Sequence, residues 1–131
     1  MRLGPSLLLF LVLLAAACGK PGSPSQPDSP PMTVARIPIE SVTIRIAQSF
    51  PVQVFARVQG FVGDGCSSLL PIEQSRAGNV ITLEIKRQRP RDAICTQIAI
   101  LFDQDIRLEG EFRTGEYTLN VNGSASSFRV D

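Results

Sequence analysis

Few residues in this chain of 131 have chemistry to offer. Cysteines stand at Cys18, Cys66 and Cys95, carboxylate pairs at Asp103/Asp105 and Glu109/Glu111, a basic run "KRQRPRD" covers Lys86 to Asp92, and there is no histidine. Without imidazole the Ser-His-Asp and Cys-His nucleophile systems are excluded, and so are the usual zinc and copper sites. A Ser-Lys pair would have to draw on Lys86, which sits among Arg87, Arg89 and Arg91 rather than in an apolar pocket. Asp103 and Asp105 are two apart and can project from one face, as acid-base work or a calcium ion would require. In a polar strand break they are simply solvated, and that is the expectation. Glu109 and Glu111 flank Gly110, which reads as a bulge or turn and leaves both carboxylates in solvent. No catalytic residue, metal ligand or cofactor is therefore expected.

What remains are candidates for binding. Lys86, Arg87, Arg89 and Arg91 put four cations in six positions, enough to grip an anionic glycan or lipid or an acidic envelope protein. The plainer account of the same run is a solvated strand end. Phe55 lies opposite in parity to the apolar face of its strand, so it is either a contact residue or covered by a neighbour.

The first residues, "MRLGPSLLLFLVLLAAACG", join Arg2 to an apolar run from Leu7 to Leu14 and end in small residues. That is the layout of a secretory signal, and it is shorter than the ~20 apolar residues a membrane span needs. The small residues leading into Cys18 resemble the lipobox of bacterial lipoproteins, with Ala15 where that family more often has leucine. The resemblance implies that 1–17 are removed, that Cys18 becomes a lipidated N-terminus, and that the protein stays on a membrane surface. It places the protein in the cell envelope, at the outer membrane if the cell is Gram-negative, since Gly19 rather than Asp follows the cysteine. Loss of Arg2 would turn thirteen basic and twelve acidic residues into twelve of each. A neutral balance argues against a nucleic-acid partner. Cys66 and Cys95 are then an even pair in an exported chain, where pairing is the natural state. Their spacing is unlike the Cys-x-x-Cys of a redox dithiol.

The elements that must position these residues follow a tether. In "GKPGSPSQPDSPPM", Gly19 to Met32, ten of fourteen residues are Pro, Gly or Ser, so 18–36 reads as a disordered spacer with a reach on the order of 40 Å. From Ile37 to Asp131 the chain alternates. Val42, Ile44 and Ile46 share one face, as do Val52, Val54, Ala56 and Val58. The stretch "GFVGDGCSS" reads as a loop, and a strand from roughly Leu69 to Arg76 forms a hairpin with "VITLEIK", whose Ile81, Leu83 and Ile85 share a face. One parity stays apolar through Ile98, Ile100, Phe102, Ile106 and Leu108, as two short strands or one broken near Asp103. Asn122 and Gly123 tolerate the positive φ of a two-residue turn, which closes a second hairpin. Asn122 also opens an "NGS" glycosylation pattern, which the turn explains better. Seven or eight short strands without a helical period predict a single antiparallel β-sandwich.

The segment "TGEYTLNV" resembles strand F of immunoglobulin-like domains, in which a tyrosine hydroxyl bonds upstream backbone at a sheet corner; Tyr117 matches that place. Leu119 stands where antibody domains have cysteine, and tryptophan is absent, so Cys66–Cys95 is not the usual inter-sheet bridge. From "PVQVFARVQG" through "DGC", "DAICTQ" and "GEYTLNVNG" the chain resembles an extracytoplasmic domain of bacterial surface lipoproteins, a likeness that implies the fold and the bridge but no activity. Two functions are compatible with this reading. One is a non-enzymatic binding or structural module on the envelope. The other is an extracytoplasmic protease inhibitor with an immunoglobulin-like fold, although of that family's motifs only "RPR" at Arg89 to Arg91 has an echo here.

Overall fold

The computed structural model describes residue 19 and residues 28–131. The signal segment, Cys18 and most of the tether lie outside the described residues. Ten strands follow in order: β1 Met32–Arg36, β2 Ile39–Ala47, β3 Gln53–Gly63, β4 Ser68–Leu69, β5 Glu73–Ala77, β6 Val80–Glu84, β7 Lys86–Pro90, β8 Ile100–Arg107, β9 Gly115–Val121 and β10 Ser124–Val130. They form three sheets, ordered β2-β3-β8, β10-β9-β6-β5 and β1-β7-β4. The chain is an all-β sandwich, as the alternation predicts, and no helix occurs among the described residues.

The apolar parities do what period two requires. Val54, Ala56, Val58 and Val62 of β3 face Ile81 and Leu83 of β6 and Leu119 and Val121 of β9, all buried, with Ile37, Ile85, Leu108 and Val130 closing the same core. Ile81, Leu83 and Ile85 are fully buried, but Ile85 separates β6 from β7, and there the chain leaves one sheet for another. Both predicted hairpins are present. Ala77 pairs Val80 across Gly78 and Asn79, and Val121 pairs Ser124 across Asn122 and Gly123. Asn122 and Gly123 have φ of 51° and 99°, the two positive values a type I′ turn demands. The tyrosine corner also forms: the Tyr117 hydroxyl donates to Arg113 O and accepts from Arg113 N–H, each at 3.0 Å.

Several expectations change. Among the described residues there are ten strands rather than seven or eight, and strand pairing reaches back to Met32 rather than Ile37, because β1 pairs with β7 from Met32↔Pro90 to Arg36↔Lys86. All five β1 residues are exposed, so no alternation marks the strand, and it is attached by its backbone pairing with β7 and by the Arg36 side chain, which donates to Glu84. β3 runs through Gly60 to Gly63, residues that read as loop. The expected strand from Leu69 to Arg76 is two strands in different sheets, β4 on β7 and β5 on β6. β8 is continuous through Asp103, since Arg57 and Gln59 on β3 supply partners for that carboxylate. Ile98 is 60% exposed outside any strand, so the core parity starts at Ile100. Finally, β6 and β9 pair in parallel, Val80↔Thr118 to Leu83↔Val121, an exception within an otherwise antiparallel arrangement.

Candidate functional site

The basic run folds into β7 and the segment after it. Odd and even residues of a strand point to opposite sides, which separates Lys86 from Arg87 and Arg89. Lys86 Nζ donates to Glu73 Oε1 at 2.7 Å and lies 3.5 Å from Glu84 Oε2. Its hydrogen bond to Glu73 raises its pKa above the ordinary lysine value, with desolvation opposing. Arg87 Nη1 donates to Val62 O at 2.9 Å across the backbone of Gly63. A Cβ on Gly63 would stand 1.9 Å from that nitrogen, and its φ is +141°, so this strand end is built around glycine. Arg89 Nη2 donates to Asp64 Oδ2 at 2.8 Å and to Cys95 Sγ at 3.3 Å, while its Nε is buried without a partner. Three of the four cations expected to grip a partner are thus spent inside the fold. Arg91 is exposed, with no side-chain hydrogen bond or ion pair among the described residues, and only its N–H is engaged, to Pro31 O.

Asp64, not singled out from sequence, organises this end. Its Oδ1 accepts from the Cys66 N–H at 3.2 Å and the Ser67 hydroxyl at 3.0 Å, and its carbonyl accepts from Ser67 N–H. This is an Asx-turn, legible in "GDGCS" as Asp followed by Gly. Burial pushes the Asp64 carboxyl up, but the bonds from Ser67, Arg89 and Cys66 outweigh it and hold the group below the usual carboxylate range. Cys66 and Cys95 form the disulfide, with Cα atoms 5.5 Å apart. Beside it Gly65 N–H donates to Thr96 O at 3.0 Å. The bridge pins an irregular segment on which Ile94 is fully exposed; Ile98 on that segment and Leu101 at the start of β8 are also exposed.

Phe55 is half-buried beneath the Arg45 guanidinium, 4.4 Å from its ring centroid, so it is the covered residue of the two alternatives. Next to it Arg57 Nε and Nη2 donate to the two oxygens of Asp103 at 2.9 and 2.8 Å, Gln59 adds a bond at 3.1 Å, and Arg45 Nη2 donates to Asp105 at 2.7 Å. With Thr43 these four charged residues line a shallow concavity of about 500 Å³. Hydrogen bonds from Arg57 and Gln59 hold Asp103 below the usual carboxylate range, the opposite of what a general acid needs. Glu109 and Glu111 are exposed on an irregular segment, with Gly110 between them at φ +97°. Among the described residues no three His, Cys, Asp or Glu side chains gather as a metal site would require.

A family model for the ORF11 beta-sandwich domain matches residues 56–130. An uncharacterized 10.2 kDa protein from the HgiCIIM 5′ region of Herpetosiphon aurantiacus is 40% identical over 92 residues, 70% of this chain and 98% of that protein. Similar 10.2 kDa proteins from the HgiBIM and HgiEIM 5′ regions of the same organism are each 35% identical over 82 residues, 63% of this chain and all of theirs. No solved structure matches the chain.

Proposed function

The chain belongs to the ORF11 beta-sandwich domain family, and we propose that this member is an exported, lipid-anchored module of the cell envelope that binds a partner rather than turning over a substrate. The observation that carries the reading is the Cys66–Cys95 disulfide, a bond that persists in oxidising compartments and is rare in the cytosol. It agrees with a leader that ends in small residues and a cysteine. On the sheet faces Asp103 and Asp105 are paired with Arg57 and Arg45, and Lys86 with Glu73 and Glu84. Loops pinned on a rigid sandwich are the usual carriers of recognition, and here the segment between β7 and β8 that the bridge pins exposes Arg91, Ile94 and Ile98.

Labelled palmitate tests the anchor. It should enter the wild-type protein in its native host and not Cys18→Ser, and the variant should accumulate as uncleaved precursor. Equal labelling of both proteins removes the lipoprotein reading.

A further inference from the structure

The two sulfurs of the bridge do not have equivalent surroundings. Arg89 Nη2 donates to Cys95 Sγ at 3.3 Å as well as to Asp64 Oδ2 at 2.8 Å, whereas no guanidinium donates to Cys66 Sγ among the described residues, and the Cys66 N–H donates to Asp64 Oδ1 at 3.2 Å. The charged groups here are Arg89 from β7, Asp64 from the turn after β3, and Arg87, whose Nη1 reaches Ser67 Oγ at 3.5 Å. The Ala93 carbonyl, 3.4 Å from Cys95 Sγ, opposes the Arg89 effect as a dipole rather than a full charge. Both cysteines are half-buried at a surface made by the exposed residues Gly65, Ile94 and Thr96.

We propose that this disulfide is a polarised acceptor for thiol exchange, in which an external thiolate attacks Cys66 Sγ and Cys95 leaves as the thiolate beside Arg89. The attacking thiolate forms a new S–S bond to Cys66 as the Cys66–Cys95 bond breaks, and that bond's electron pair stays on Cys95 Sγ. One disulfide and one thiolate enter and one of each leave, so no further oxidant or reductant is needed. The direction follows from leaving-group stability. A guanidinium donor favours the thiolate it touches, and Cys95 Sγ is the sulfur that has one. Exchange is faster when the departing thiol has the lower pKa. Spacing of the Cys-x-x-Cys kind is not required, since the polarity comes from the Arg89 hydrogen bond to Cys95 Sγ. The reactant class is a small thiol or the cysteine of a partner, and the product is a mixed disulfide at Cys66. This holds whether or not Cys18 carries lipid.

The test uses the full chain carrying Cys18→Ser, so that Cys66 and Cys95 are the only cysteines. After brief exposure to limiting glutathione and quenching with iodoacetamide, peptide mass spectrometry should find glutathione on Cys66 and the alkyl group on Cys95, at least about threefold over the reverse. Equal adducts, or an excess on Cys95, overturn the proposal. In the same background, Cys66→Ser should leave a Cys95 thiol that alkylates with a midpoint below the ~8.5 of a free cysteine. Arg89→Gln should move that midpoint back up. An unchanged midpoint in Arg89→Gln also overturns the assignment.

Discussion

At Asn122 one side chain ties together backbone from three parts of the fold. Its Oδ1 accepts from Ile85 N–H at 2.9 Å, and its Nδ2 donates to Ile37 O at 2.9 Å and Ile85 O at 2.8 Å. Sequence accounts for the turn through the tolerance of Asn for positive φ, but not for these bonds, because Ile37 and Ile85 are 85 and 37 residues away. The same nitrogen is the one a glycan would occupy, so the "NGS" pattern is engaged internally. Asn122→Gly keeps the backbone conformation and removes all three bonds. At about 1 kcal/mol for each bond it should cost about 2 to 3 kcal/mol, read as a lowered denaturant midpoint; an unchanged midpoint would mean that water replaces the amide. Tyr117 is the contrasting residue. Its hydroxyl bonds Arg113 four residues upstream, so the contact is local enough for a short motif to announce it.

Elements show the same division between local and distant causes. The bridge closes a sequence separation of 29 residues across β4 to β7. Replacing both Cys66 and Cys95 with alanine should therefore cost about 3 to 4 kcal/mol on the chain-entropy account. Calorimetry of the double variant checks it, and a loss below about 1 kcal/mol would show that the neighbouring strands already hold the loop. The β3–β8 pairing makes a prediction in acid. Asp103 is held below its ordinary value by Arg57 and Gln59, so its contribution is present above the unfolded carboxylate value of about 3.9 and lost as pH falls through the lower folded value. Asp103→Asn should accordingly flatten the loss of stability below about pH 4, measured by urea midpoints from neutral pH downwards. Parallel pH profiles for variant and wild type would contradict the ion pair's role. Asp64 and Glu84, both also lowered, act in the same direction; for Glu84 the cause is first its hydrogen bond from Arg36.

For the whole molecule, the cations of the run from Lys86 to Arg91 must be divided into those that hold the sandwich and the one, just after β7, that faces outward. Arg89→Glu sets a second carboxylate against Asp64 next to the disulfide and should lower the melting temperature by several degrees. Arg91→Glu should leave it within about a degree, because surface substitutions away from such contacts are nearly neutral. Thermal scans of the two variants decide this, and only Arg91→Glu is then a clean probe of partner capture by charge. The sequence by itself determined the strand faces, the two hairpins, the tyrosine corner and the chemistry that histidine's absence removes. Each of these depends on residues within a few positions of one another, where period two, positive φ and side-chain type act directly. Tertiary structure decided what the faces meet. Exposed β1 leaves no alternating pattern, so only its register with β7 reveals it as a strand. The expected strand at Leu69 divides because β7 and β6 each claim one half of it. Arg87 and Arg89 are spent on Val62 and Asp64 because the end of β3 arrives beside them. A charge run reports how many cations a chain has in one place, and only the packing of distant strands determines how many remain for a partner.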